Sequence, residues 1–263
     1  MRLRRWAVTA LIMTCGMAAA GAPGPGGFSH DAWTEVLDKY VDDQGLVDYT
    51  GLSGDRAGLD LYLEEIGEVS PENRPDLFPG TEDRLAYWIN AYNALIFQGV
   101  LARGPEEDSV WTGLVSGLNF FGLRKYTVGG RLMNLKSLED DLIREPFNDP
   151  RIHAALNCAS IGCPRLPRRA FDPATLEADL DAAMTEFVAA EGNVTVDHEN
   201  RTVILSKIFD WFEKDFIRYE VEVKNSWEPK VVDYINRYRA ADAAVPVGYR
   251  VKFRSYDKRI NKQ

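Results

Sequence analysis

The side chains able to do covalent chemistry in this 263-residue sequence gather in one stretch, Arg151 to Leu166, reading RIHAALNCASIGCPRL. It holds His153, Cys158 and Cys163, one of the three histidines and two of the three cysteines. A thiol beside an imidazole is an activated nucleophile, and two thiols together make a disulfide or part of a metal site. Spacing separates these readings. His153 and Cys158 are five apart, so in a strand they point to opposite faces and in a helix they lie about 140° apart. A direct couple therefore needs Cys158 beyond the end of a strand, or a histidine from elsewhere. Cys158 and Cys163 can be bridged if Ala159 to Gly162 reverses the chain, since a disulfide needs Cα atoms about 4.4–6.8 Å apart. Gly162 tolerates positive φ and Pro164 pushes Cys163 towards an extended conformation. So small a loop would stabilise the fold by only about 2 kcal/mol. As metal ligands, His153, Cys158 and Cys163 are spaced more loosely than zinc patterns and have no evident fourth partner, so no metal and no cofactor is assigned.

The compartment bears on these thiols. MRLRRWAVTALIMTCGMAAAG carries Arg2, Arg4 and Arg5 before an apolar run and then small residues, the pattern of a secretory leader cut near Ala20. Ile12-Met13-Thr14 before Cys15 matches the lipoprotein box poorly, so Cys15 reads as part of the leader rather than as a lipid anchor. The expectation is an exported protein, periplasmic or extracellular, with two cysteines left in an oxidising medium, which favours a bridge. Losing the three leader arginines takes the net charge from -9 to -12. Such acidity argues against nucleic acid or an anionic membrane as partner, and no later run is apolar for long enough to span a bilayer.

Around this stretch the sequence predicts mostly helices. After a Pro/Gly linker over residues 21–28, an amphipathic helix runs from Ser29 to Val41, another from Asp55 to Val69, and the longest from Thr81 to about Arg103. In the longest, Thr81 is the expected cap, and Leu85, Trp88, Ile89, Tyr92, Leu95 and Ile96 form a stripe beside Asn90 and Asn93, two amides that must find partners. Leu114 to Leu123 is an aromatic, glycine-rich loop able to cover a site. Lys125–Val128 and Arg131–Leu135 flank Gly129-Gly130 as a hairpin, followed by a helix from Ser137 towards Arg144. Ile152 to Leu156 reads as a buried strand. Helices then cover Asp172 to Ala190, Lys207 to Tyr219 and Val231 to Arg239, a second hairpin joins Val194–Val196 to Thr202–Leu205, and Tyr249 to Phe253 alternates as a last strand. The fold class expected is α+β in a single domain over 29–263. Its helices pack around a mainly antiparallel sheet made of both hairpins, the Ile152 segment and the last strand, with a long central helix.

Several segments resemble one family, the domain of unknown function 547 family. They are GLVDYTGL (Gly45 to Leu52), RLAYWINAYNAL (Arg84 to Leu95), LKSLEDDLIR (Leu135 to Arg144), DPRIHAALNCASIGCPRL (Asp149 to Leu166) and VILSKIFDWFEKDF (Val203 to Phe216). They stand in the family's order and span most of the chain after Val41. The tail departs from the pattern, reading Tyr256-Asp257-Lys258 where the family is expected to read YDW. The resemblance brings no activity with it, although the Cys/His content suggests a distant relation to papain-like or transglutaminase-like thiol enzymes.

Two functions fit these residues. One is a thiol-dependent amide hydrolase or acyltransferase, with Cys158 or Cys163 as nucleophile and His153 as general base. Glu139, Asn90 or Asn93 would orient that base or polarise the acyl oxygen. The other is a non-catalytic binding or assembly module, shaped by a Cys158–Cys163 disulfide, in which Trp111, Phe120 and Phe121 meet a peptide or glycan.

Overall fold

The computed structural model describes residues 27–112 and 117–263. The leader, nearly all of the linker and part of the aromatic loop, residues 113–116, lie outside the described residues.

Four helices lead: α1 (Asp31–Tyr40), α2 (Tyr49–Gly54), α3 (Ala57–Glu68) and α4 (Thr81–Arg103). α1 buries the stripe that its spacing predicts, Trp33, Val36, Leu37 and Tyr40. α4 differs from expectation in two ways. Its cap is Gly80, whose N–H donates to Asp83 Oδ2 at 2.8 Å, and Thr81 is its first helical residue. Moreover, every residue from Leu85 to Phe97 is buried, so the helix is walled in on all sides rather than along one stripe. Asn90 and Asn93 are therefore inside the core.

β1 (Tyr126–Val128) and β2 (Arg131–Met133) form a hairpin whose turn residues, Gly129 and Gly130, both have positive φ. Their N–H groups donate to Ile66 and Gly67 carbonyls, satisfying the end of α3. α5 (residues 135–147) follows, and its middle, Leu138–Arg144, winds as a π-helix. Ile152 is not in a strand. Asp149 accepts the Arg151 N–H, Pro150 opens the turn, and Pro150–Ala154 is a 3-10 helix closed by Ala155 N–H to Ile152 O. A capping Asp before Pro starts a helical turn, and this local chemistry overrides the short apolar run.

The remaining elements are α6 (Leu176–Ala189), β3 (Val194–Asp197), β4 (Thr202–Leu205), α7 (Lys207–Trp211), α8 (Glu213–Glu222), α9 (Val231–Arg237) and β5 (Arg250–Phe253). The fold is α+β, with a sheet different from the one expected. β1–β2 stands alone, while the second sheet runs β3-β4-β5 with β4 and β5 parallel, Val203 opposite Val251. Helices α7 to α9 make the crossover that parallel neighbours require.

Two apolar cores result. One surrounds α4 and contains Trp33, Tyr49, Tyr62, Tyr87 and Phe97. The other packs Phe187, Phe209, Phe216 and Tyr234 beneath β4. Each fully buried side chain of this size contributes about 1.5–3 kcal/mol. Among the described residues, no helix is long and apolar enough to cross a membrane.

Candidate functional site

Between the two cores lies a cleft of about 380 Å³, walled by Tyr92, Trp111, Phe121 and Leu156 on one side and by Ile208, Trp211, Phe212 and Tyr256 on the other. Cys158, Cys163, Glu139 and His153 open onto it. Its size and apolar walls with a few polar groups suit a small molecule or a single side chain.

The thiol loop is braced from beneath by amides. Asn93 Oδ1 accepts the Asn157 N–H at 2.9 Å, and its Nδ2 donates to Ala155 O at 3.0 Å. Asn157 Oδ1 accepts the Ala159 N–H and its Nδ2 donates to Pro164 O, tying both ends of the loop together. From the C-terminal segment, Asn261 donates to Asn157 Oδ1 and receives the Tyr49 hydroxyl, while Arg259 and Asp257 carbonyls accept the Ile161 and Gly162 N–H groups. Trp111 Nε1 donates to Ser160 Oγ at 2.8 Å. Asn90 holds Phe171 by both its N–H and C=O and does not reach the cleft. Asn90 and Asn93 thus anchor neighbouring loops, and neither is among the residues that line the cleft.

The loop turns at Ala159, φ 59°, and not at Gly162. A left-handed alanine costs about 1–2 kcal/mol, which the surrounding hydrogen bonds hold in place. Gly162 is needed for another reason: a Cβ there would lie 2.7 Å from the Tyr256 ring. Its bare backbone lets Tyr256 reach the sulfurs.

Cys158 Sγ and Cys163 Sγ stand 2.7 Å apart, both thiols free, and the Tyr256 hydroxyl lies 2.9 Å from one and 3.1 Å from the other. The Cys158 N–H donates to Cys163 Sγ at 3.0 Å. Sharing a proton with Cys163, together with burial, pushes the Cys158 thiol up. Burial also acts to raise Cys163, but the donors converging on it from Cys158, Tyr256 and the backbone outweigh burial and bring it below the ordinary thiol value. The two thiols titrate as one coupled pair, and the Cys158 N–H aimed at Cys163 Sγ favours negative charge on Cys163. Tyr256 is held far from ionisation by burial and by the adjacent sulfurs.

Glu139 projects from the π-helical turn of α5, a distortion often found where a side chain is re-aimed into a site. Tyr92 donates to its Oε2 at 3.2 Å, yet burial deep in the cleft pushes the carboxyl up to about 7. It is the one charged group of the cleft wall with no ion pair among the described residues: Lys136 pairs with Asp140, Arg144 with Asp140 and Asp215, and His153 with Asp215.

His153 is placed differently from the expectation. Its Nε2 lies 2.8 Å from Asp215 Oδ2, its ring stacks on Phe212 at 4.0 Å, and it makes no hydrogen bond to either sulfur. Burial lowers its pKa against the pull of Asp215, whereas His153 and Arg144 together hold Asp215 well below the usual carboxylate range. His153 therefore sits as a neutral donor clamped to a carboxylate on α8, and fixes Phe212 in the cleft wall. Phe120, expected at a ligand-facing surface, is buried in the first core, while Trp111 and Phe121 are half-buried in the cleft wall. Sequence reasoning missed Tyr256, Asp215 and Trp211. The only signal for Asp215 and Trp211 is their place in the family-like segment Val203 to Phe216, and for Tyr256 its place in the tail that departs from the family's pattern.

The class so defined is a single-domain α+β protein with a paired-thiol cleft between two cores. Residues 78–188 match the model of the family described as "Protein of unknown function, DUF547", and over that segment the chain is similar to that family. The matched segment carries Glu139, His153 and both cysteines, while Asp215 and Tyr256 lie beyond it. Neither the curated proteins nor the solved structures gave a match to the chain. Among the described residues, no group of three or more His, Cys, Asp or Glu side chains is disposed to hold a metal ion.

Proposed function

We propose that Cys158 and Cys163 are a reversible dithiol–disulfide couple working on a substrate held in the cleft. The observation that carries this reading is the sulfur pair itself, 2.7 Å apart under one shared phenol and open to the cleft. Closing the pair forms one S–S bond and releases two electrons to an acceptor. The Cys163 thiolate attacks the acceptor and forms a covalent adduct; the Cys158 sulfur, as its proton leaves, then attacks the Cys163 sulfur and displaces the acceptor with the electron pair. The leader pattern, read as export, would expose the couple to an oxidising medium and make the disulfide its resting form.

A second reading, amide hydrolysis or acyl transfer, is favoured by Glu139 alone. A carboxyl pushed up to about 7 and lining the same cleft as the thiols is suited to proton transfer, and it replaces His153 as the acid/base group of that scheme.

A redox titration separates the two. The purified protein is equilibrated in reduced and oxidised glutathione mixtures, alkylated and weighed. A couple gives a sigmoidal exchange between a doubly alkylated species and one two hydrogens light with no label, abolished in Cys158→Ser and Cys163→Ser. If both thiols stay alkylatable at every ratio, the couple is wrong, and amide-directed thiol probes become the next test.

A further inference from the structure

The cleft also constrains what can take the electrons. Its walls are aromatic on both sides: Trp111 stacks on Trp211 at 5.8 Å, Trp211 meets Tyr256 at 4.8 Å, and Trp211 remains 42% exposed. Its charges are neutralised within the wall, since Lys136, Asp140, Arg144 and His153 all have partners of opposite charge or their hydrogen-bonding equivalent. An anionic substrate would find no free counter-charge to hold it here, and the cavity has room for no more than a single side chain of a polypeptide. What remains unpaired is one carboxyl, Glu139, facing the same space as the sulfurs.

Resting on the dithiol reading above, we propose that the acceptor is a flat, uncharged ring bearing carbonyl oxygens, of the quinone class, stacked on Trp211 between the sulfur pair and Glu139. The chemistry balances with the groups present. The Cys163 thiolate adds to a carbonyl carbon, forming an S–C bond, and the carbonyl oxygen takes the Glu139 proton. Cys158 sulfur then attacks Cys163 sulfur; the S–S bond forms, the S–C bond breaks, and its electron pair enters the ring. The second ring oxygen takes the Cys158 proton. One dithiol with its single negative charge becomes a disulfide, the quinone becomes a hydroquinone, and the charge ends on Glu139, which recovers a proton from water. Burial pushes Glu139 up to about 7, so this acid is available at neutral pH.

Duroquinone is the probe, because its fully substituted ring cannot be arylated by thiols. The reduced full-length protein is mixed with it, and hydroquinone and residual thiol are followed together, with oxidised glutathione as a parallel oxidant. Expected is one hydroquinone per thiol pair, at a rate that saturates with duroquinone. In Trp211→Ala the half-saturating concentration of duroquinone should rise at least tenfold, well beyond any change in the glutathione reaction. Trp211 is partly exposed, so the variant is expected to keep its circular dichroism. If glutathione closes the pair but the duroquinone rate is unsaturable and the same in Trp211→Ala, the acceptor class is wrong and the couple stands. If neither oxidant closes the pair, the couple itself falls and takes this inference with it.

Discussion

Glu139→Gln turns the cleft carboxyl into a stability measurement. Burial pushes Glu139 from its ordinary value of 4.5 up to about 7. Between these values the folded protein holds a proton that the unfolded chain has released, so stability falls as pH rises through this window. A shift of that size corresponds to roughly 3 kcal/mol at full strength, by 1.36 kcal/mol per unit. Because the carboxyl opens onto a cleft that water enters, a loss of about 1.5–3 kcal/mol is the expected range. Glutamine has the shape of the protonated acid and keeps an oxygen for the Tyr92 hydroxyl. The variant should therefore match the wild type near pH 4.5 and exceed it by about 1.5–3 kcal/mol above pH 8, or roughly 3–12 °C in Tm for a chain of this size. His153 and Asp215 also give a pH dependence. Their folded pKa values are lowered, so their contributions are lost on acidification, His153 as pH falls below its ordinary value and Asp215 at still lower pH. Both are common to the two proteins and cancel in the difference. The assay is urea unfolding across pH, followed by Trp fluorescence. Parallel curves for wild type and variant from pH 4.5 to pH 8 would refute the reasoning, because they would mean that Glu139 titrates as an ordinary surface carboxyl.

Two further substitutions probe how the thiols are held. Gly162→Ala places a methyl 2.7 Å from the Tyr256 ring and must displace it, costing about 1–3 kcal/mol in denaturant unfolding. Without the phenol, the pH midpoint of Cys163 alkylation should move up, and an unchanged midpoint would remove Tyr256 from the account of that thiol. Asn93→Ala leaves the Asn157 N–H and the Ala155 C=O buried without partners, a loss of about 2–4 kcal/mol by urea unfolding. A loss below 1 kcal/mol would show that the loop is held by its other bonds.

What sequence could and could not show follows from the range of each interaction. The long helices and both hairpins are legible because their signals are local: the α1 stripe, the Gly129-Gly130 turn, and the long apolar pattern of α4; the short helix α2 and the break at Phe212 between α7 and α8 are not. The segment at Ile152 was misread because five apolar residues carry no period that separates a strand from a helical turn, and Asp149-Pro150 decided it. The cysteine pair was legible as a closable loop, although its left-handed residue proved to be Ala159. His153 was recognised as unable to reach Cys158 in regular structure, but its partner, Asp215, is 62 residues away and sits on a helix whose orientation no local pattern fixes. Glu139 was singled out, whereas its raised pKa depends on walls assembled from both cores.

Tyr256 reaches the sulfurs from 98 residues further along the chain. During synthesis, at about 5–20 residues per second, the ribosome therefore makes both thiols roughly 5–20 s before it makes the phenol that covers them. Asn261 and the carbonyls of Asp257 and Arg259 arrive later still. For that interval the nascent loop carries two bare cysteines with half of its bracing missing, and they are open to oxidants, to mispairing and to the cell's own thiol catalysts. A segment made well after the thiols is thus the one that sets which partners they can meet.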